Sequence, residues 1–270
     1  MTGNGRLSRY GLRFVALSYL SALLLLPIGV ALVKTFDQGV GEVITQITKP
    51  DAIHALKMSL LTVIIAVPLN TVFGIAAAHV VVRTDFRFKW AINALIDMPF
   101  AVSPVVIGLA LILVYGTGGW FGADLAAMGI QVIFSTPGIV MAVIFVSLPF
   151  VAREVIPVMQ EIGTDQETAA ETLGAGPWQT FRRITLPAIR WGVTYGIVLT
   201  TARALGEFGA VTVVSGNISG ETQTLPLYVS QQFETFNSVG AYSASLVLAI
   251  LALGTLLSMN LLRRREETND

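Results

Sequence analysis

The sequence contains no cysteine and little charge. Without cysteine, disulfides, thiolate metal sites and cysteine nucleophiles are excluded. With His54 and His79 as its only histidines, the chain also lacks the imidazoles for a multi-histidine metal site. Charged residues make up 13% of the 270 residues, about half the share typical of a soluble domain, whereas 54% are hydrophobic. This balance argues against a soluble enzyme, and the zero net charge gives no basis for nucleic-acid binding.

Six apolar stretches are long enough to cross a bilayer, which requires roughly 20 mostly apolar residues. They cover about residues 14–33, 58–82, 95–115, 136–154, 191–214 and 240–262. The segments between them are too short for a soluble domain, so residues 1–270 are predicted to form one all-α, polytopic membrane domain. A cleaved signal peptide is the alternative for the first stretch, which follows Arg6, Arg9 and Arg13. That stretch exceeds the usual apolar region of about 7–15 residues, however, and further spans follow.

Lysine and arginine cluster in alternate connecting segments. If both termini are cytoplasmic, 13 of the 17 basic residues lie on the cytoplasmic side, among them Arg83, Arg153 and residues 263–265. This asymmetry is the one that the positive-inside rule describes. The sequence therefore predicts an even number of crossings with both termini in the cytoplasm.

The loop between the fourth and fifth spans, about residues 156–190, carries the strongest motif. Thr164 and Glu167 have the spacing of a capping box, which predicts a helix over residues 164–173. Gly174 and Gly176 allow the chain to leave that helix, and Pro177 suits the first turn of a second one. The loop is predicted to be a helix–turn–helix with small residues at its tip: Ala169, Ala170, Gly174 and Ala175. Such a tip lets another surface approach closely; the alternative is a solvated loop that only packs on the inner rim of the bundle.

The order Ala169-Ala170, Gly174 and Ile184-x-Leu186-Pro187 resembles the EAA loop of permease subunits of binding-protein-dependent ABC importers. The family pattern is Glu-Ala-Ala, three residues, Gly, nine residues, Ile-x-Leu-Pro, and its spacing matches throughout. The Glu of the pattern is Thr168 here, with Glu167 immediately before it. The offset turns the carboxylate by about 100° around a helix. Glu167 therefore either keeps an ion pair like that of the family's Glu or serves only the helix cap.

Other strings resemble the sulfate/molybdate branch of this family. They are DMPFAVSPVV (97–106), GWFG (119–122), PFVARE (149–154), ARALGEFGAV (202–211), SGN (215–217) and TQTLPL (222–227). From about residue 55 onward, the chain most resembles the W-type permease subunits of sulfate/thiosulfate importers. A molybdate or tungstate permease remains the alternative within the class.

The resemblance implies a type I ABC importer permease fold and transport by alternating access, in the inner membrane of a prokaryote. It implies no enzyme activity, cofactor or metal in this chain, which also lacks a P-loop sequence. The implied partners are the lipid bilayer, a second homologous permease, an external sulfate-binding protein and two ATP-binding subunits that use ATP-Mg. The residues that would couple the chain to the ATPase are Glu167, Thr168, Ala169, Ala170, Leu173, Gly174, Ala175 and Trp178.

Apart from charges within three residues of a span end, Arg203 and Glu207 are the only formal charges in the predicted spans, and they lie four residues apart. A charge at the bilayer centre costs at least about 2.5–3.5 kcal/mol, so both are expected to point into the bundle and pair. One hypothesis places them at the permease gate, together with Gly206, Phe208, Gly209, Ser103 and Pro104. The alternative is an internal salt bridge that only fixes the packing of the span.

Three smaller expectations concern the same spans. Gly192-x-x-x-Gly196 favours close helix contact, the prolines Pro99 and Pro104 should kink the third span, and Asp97 should pair with a neighbouring cation. An intramembrane enzyme would need paired acids or a nucleophile at one depth, which the spans do not offer. A passive channel or secondary anion transporter would need no ATPase and would more often show internal repeats, none of which is evident.

Overall fold

The computed structural model describes the backbone of residues 4–267 and the side chains of residues 12–257. Arg6, Arg9 and the basic residues 263–265, on which the predicted orientation partly depends, lie outside the described side chains. Over the described backbone the chain is helical with no strand, which confirms the all-α prediction.

Fifteen α-helices follow one another along the described chain. They are α1 (Asn4–Phe36), α2 (Val40–Ile47), α3 (Pro50–Arg83), α4 (Lys89–Ala101), α5 (Pro104–Tyr115), α6 (Gly122–Ala127), α7 (Thr136–Ser147), α8 (Pro149–Ile162), α9 (Asp165–Thr172), α10 (Pro177–Thr180), α11 (Leu186–Ala188), α12 (Arg190–Leu205), α13 (Gly209–Ser215), α14 (Leu225–Glu234) and α15 (Ser238–Glu267). A π-helical turn, Phe181–Thr185, joins α10 to α11.

Among the described residues, four helical segments are long and apolar enough to cross a membrane on their own. They are Leu12–Phe36, Pro50–Arg83, Thr136–Ile162 and Ser238–Leu257. Two bent pairs reach that length only when each is taken together: α4 with α5, bent by 110°, and α12 with α13, bent by 54°. The third and fifth predicted spans, about residues 95–115 and 191–214, are therefore broken rather than continuous, and the count of six crossings stays a prediction.

The sharper break has a local cause in proline chemistry. Pro104 lacks a backbone donor, and a residue that precedes proline is driven out of the helical conformation. Ser103 accordingly has φ −60° and ψ 135°, and Val102 is extended as well, with φ −103° and ψ 134°. Pro99, in contrast, is accommodated inside α4. The expected proline effect is thus a bend of 110° at residues 102–103, much larger than a kink.

Glycines allow the backbones of α3 and α12 to approach α8 closely. A Cβ atom added to Gly74 would lie 2.6 Å from the Cβ atom of Val151, and one added to Gly196 would lie 2.7 Å from its Cα atom. A Cβ atom on Gly192 would lie 2.9 Å from the carbonyl oxygen of Glu154. The close contact expected from Gly192-x-x-x-Gly196 is confirmed, and its partner is α8.

Apolar side chains remain exposed on the outside of this bundle. None of the residues in the apolar window of α1 is buried, and large apolar residues of α3, α5 and α15 face outward as well. In water this surface would be far larger than a monomer tolerates. It is the surface expected of a chain whose solvent is lipid.

Candidate gate and coupling loop

The two helix breaks pack against each other. A Cβ atom added to Gly209, the first residue of α13, would lie 3.1 Å from the Cβ atom of Pro104, the first residue of α5. One turn along α5, a Cβ atom on Gly108 would lie 2.8 Å from the carbonyl oxygen of Ala210. Glycine at both positions therefore allows α5 and α13 to approach closely. The structure thus brings the 103–104 and 206–209 segments, proposed from the sequence as gate elements, to one place.

Arg203 and Glu207 form the expected ion pair, with 2.6 Å between Nη1 and Oε2. The carboxylate is 2% exposed, whereas the Arg203 side chain is 31% exposed. The other oxygen, Oε1, accepts a hydrogen bond of 2.8 Å from the backbone N–H of Ala210. Glu207 therefore ties α12 to the first turn of α13 and satisfies a donor that the helix start leaves free. Of the remaining gate candidates, Phe208, Gly206 and Ser103 are exposed in the isolated chain.

A second ion pair links α4, the helix before the first break, to α8. The Nε atom of Arg153 donates to Oδ1 of Asp97 at 2.7 Å, and its Nη2 atom contacts the other carboxylate oxygen. This bidentate contact confirms the expected cation partner of Asp97. It ties α4 to α8, and the rings of Phe100 and Phe150 meet edge to face beside it, with centroids 5.3 Å apart.

The loop between α8 and α12 forms the predicted helix–turn–helix. Helix α9 ends at a turn in which Gly174 has φ +87°, a conformation that glycine adopts without steric cost. At the tip, Leu173 is 89% exposed and Trp178 71% exposed. Trp178 stacks on Phe181, with ring centroids 5.6 Å apart. Of the other predicted coupling residues, Thr168 and Ala169 are exposed, and Ala170 and Ala175 are partly buried.

The predicted capping box at the start of this loop is wrong. Thr164 makes no side-chain hydrogen bond to the start of α9. The Glu167 carboxylate instead lies 2.8 Å from Nε of Arg83, the last residue of α3, and accepts the Thr185 hydroxyl at 2.7 Å. The guanidinium offers the carboxylate a formal positive charge and two donors, whereas a capping box offers it a single uncharged backbone N–H, so the guanidinium is the better partner of Glu167. Sequence reasoning missed this contact because the two residues are separated by 84 positions.

No group of three or more histidine, aspartate or glutamate side chains suited to a metal ion occurs among the described residues. Three structural features of this part of the chain bear on its function. They are two broken helices that meet inside the bundle, ion pairs that tie them to their neighbours, and an exposed helix–turn–helix. Together with the apolar exterior, they define the class of protein as a membrane permease subunit.

Residues 70–267 match the family model described as "Binding-protein-dependent transport system inner membrane component", and the chain belongs to this family. It is 49% identical to the "Sulfate transport system permease protein CysW" of Synechocystis sp. over 95% of this chain and 93% of that protein. It is 45% identical to the protein of the same name from Escherichia coli K12, over 92% of this chain and 85% of that one. These similarities confirm the family identified from the loop motif.

Solved structures confirm the fold. A chain of a bacterial alginate ABC transporter, crystallised in complex with a periplasmic protein that binds an alginate pentasaccharide, superimposes with a TM-score of 0.82. The match covers 97% of this chain and 96% of that chain at 18% sequence identity. The chain therefore has the type I permease fold of ABC importers, and the similarity at this identity concerns the fold alone.

Proposed function

We propose that the chain is the membrane-spanning permease subunit of an ATP-driven importer of sulfate and thiosulfate. The observation that carries this proposal is the identity of 45–49% over more than nine-tenths of the chain to permease proteins of sulfate transport systems. Transport is by alternating access, with six crossings, both termini in the cytoplasm and a location in the inner membrane of a prokaryote.

The chain works with a second homologous permease, two ATP-binding subunits and an external sulfate-binding protein. The charge of the outer segments supports delivery by a binding protein. These segments contain three lysines and six acidic residues, and this excess of negative charge does not by itself concentrate a dianion. These residues are Lys34, Lys49, Lys57, Asp37, Glu42, Asp51, Asp124, Glu221 and Glu234.

The helix–turn–helix transmits the work of ATP hydrolysis. Leu173 and Trp178 are apolar, more than two-thirds exposed and adjacent to a glycine turn, so they are available to enter a cleft of an ATP-binding subunit. Tryptophan is enriched among the anchors of protein interfaces. To move the bundle from 1:99 to 99:1 in favour of one state requires about 5.5 kcal/mol of differential binding. The closure of two ATP-bound subunits on this loop is the step that supplies it.

The gate lies where the two helix breaks meet. Pro104 and Gly209 pack closely there, and Arg203 provides a cation whose side chain is 31% exposed. When the bundle opens, α5 and α13 separate, and the anion passes the Arg203 guanidinium. Both breaks lie within apolar segments, where nonhelical backbone is tolerated only if it is buried in protein or lines a cavity.

Uptake of labelled sulfate tests the proposal. Cells that lack this chain should take up little sulfate, and expression of the chain should restore uptake, with thiosulfate competing strongly and molybdate weakly. Stronger competition by molybdate or tungstate would favour the alternative of a molybdate or tungstate permease. The chain should also co-purify with an ATP-binding subunit; uptake that continues without such a subunit would instead indicate a secondary anion transporter.

A further inference from the structure

The last residue of α3 binds several segments of the chain at once. The guanidinium of Arg83 donates from Nη1 to the carbonyl oxygen of Met159 at 3.2 Å and from Nη2 to that of Gly163 at 2.7 Å. Its Nε and Nη2 atoms lie 2.8 and 3.2 Å from the two carboxylate oxygens of Glu167. Arginine suits this position because its planar fork serves several acceptors in fixed directions.

The carboxylate of Glu167 likewise has more than one partner within the chain. Besides Arg83, it accepts the hydroxyl of Thr185, which is 3% exposed and belongs to the π-helical turn. The side chains of Arg83 and Glu167 are 10% and 15% exposed, so little of either is available to another subunit. We name these three residues, Arg83, Glu167 and Thr185, the clamp. It joins the end of α3, the end of α8, the start of α9 and the π-helical turn.

The clamp is not an anion site. The cavity that borders Arg83 and Glu167 has a volume of about 10 Å³, which is no more than the space that one water molecule needs. The positive charge of Arg83 is already paired with the charge of Glu167 at hydrogen-bonding distance. The group therefore holds structure together rather than receiving a substrate.

The clamp spans the joint between the bundle and the loop. Gly163, with φ +69°, is the residue at which α8 ends and the chain turns into α9. A glycine at such a turn would absorb a displacement of the loop by rotating its backbone. Arg83 bridges this joint directly, because it binds the carbonyl groups of Met159 and Gly163 before it and the carboxylate of Glu167 after it.

We infer that Glu167 is a positioning residue whose ion pair with Arg83 makes the loop and the bundle move as one body. The inference rests on the proposed function, since it assumes that an ATPase displaces the loop. When the loop is displaced, Arg83 moves α3 with it. Helix α3 packs on α8 at Gly74 and Val151. The same Val151 contacts Gly196 of α12, the helix that leads to the gate. This assigns Glu167 a role inside the chain instead of the contact with the ATPase expected from the motif.

The experiment measures how many anions are imported for each ATP hydrolysed by the complete importer in proteoliposomes, with its binding protein and ATP-binding subunits. Glu167→Gln keeps the size of the side chain and an acceptor for Thr185 but removes the charge. We expect the number of anions imported per ATP to fall by about fivefold or more. Arg83→Lys, which keeps the charge without the fork, should give an intermediate ratio. This ratio does not depend on how much importer assembles.

The matched control is Asp85→Asn. Asp85 lies two residues beyond Arg83 and pairs with Lys89 at 3.7 Å, but its side chain is fully exposed, so the same loss of charge should leave the ratio unchanged. An unaltered ratio in Glu167→Gln would overturn the inference. If that variant does not assemble, Arg83→Lys decides in its place: a reduced ratio supports the inference and an unaltered one removes it. Absence of ATP-dependent uptake by the unmodified assembly would remove the proposed function itself, which is a separate outcome.

Discussion

Arg203 and Glu207 form a 2.6 Å ion pair across the 54° bend that separates α12 from α13. The pair is internal, as the packing alternative requires, because Glu207 is almost fully buried and also binds the backbone of α13. It lies at the point where the two broken helices meet, as the gate hypothesis requires. One arrangement is thus compatible with both roles, and we propose that Arg203 becomes available to an anion when the bend opens.

The first prediction separates these two roles. Arg203→Gln should reduce sulfate uptake strongly and lower the free energy of unfolding by about 3 kcal/mol, because Glu207 is left as an unpaired buried charge. The double variant Arg203→Gln with Glu207→Gln removes that charge, so its stability in detergent should recover while its uptake stays low. Normal uptake by Arg203→Gln at normal expression would discard the gate role.

The second prediction concerns the exposed tip of the loop. Leu173→Asp should leave the stability of the chain within about 0.5 kcal/mol, because its side chain is 89% exposed. Trp178→Asp should lower the stability by no more than about 0.5–1.5 kcal/mol, because it removes the stacking of Trp178 on Phe181. Co-purification of the ATP-binding subunit should nevertheless fall by about tenfold or more, since a buried aromatic anchor contributes about 2 kcal/mol or more to an interface. Glu161→Gln, at an exposed position of α8 outside the tip, serves as the control. Full recovery of the ATPase with both aspartate variants would contradict the proposed docking surface.

The third prediction compares two glycines of the same turn. A Cβ atom meets nothing within 4 Å at Gly174 or Gly176, but only Gly174 has a positive φ, +87°, against −75° for Gly176. Gly174→Ala should therefore strain the turn by roughly 1–2 kcal/mol and reduce sulfate uptake, whereas Gly176→Ala should retain it. Gly174→Trp should abolish uptake. An importer that transports at full rate with tryptophan at this position would refute the role of the loop as a lever.

The fourth prediction concerns the packing of α12 on α8. Gly196→Ala places a methyl group 2.7 Å from the Cα atom of Val151, so the helices must separate, and unfolding in detergent should become easier by about 1–3 kcal/mol. Gly254→Ala is the control, because a Cβ atom at this exposed position of α15 meets nothing within 4 Å. It should have no cost and can add up to about 1 kcal/mol through helix propensity. Equal stability of the two variants would show that the close contact is not maintained in the folded protein.

Local patterns in the sequence were enough for several features of this protein. Apolar length predicted the membrane helices, the spacing of Arg203 and Glu207 predicted their pairing on one helical face, and the glycines around residue 174 predicted the turn of the loop. Apolar length is a count along one continuous segment. The pairing and the turn depend on residues within one or two helical turns of each other, and at that range the periodicity of the helix determines which side chains meet.

Only the tertiary structure decided the partner of Glu167. The local spacing favoured a capping role, yet Arg83 arrives from the end of another helix, 84 positions earlier, and takes the carboxylate. The same holds for the contact between Pro104 and Gly209: prolines indicate where a helix is interrupted, but not the angle of the break or which other break it meets. The sequence by itself determined the helices, the membrane as their solvent and the family. The packing of distant helices decided which charges on different helices pair and which helix breaks meet, because both depend on positions that no local pattern encodes.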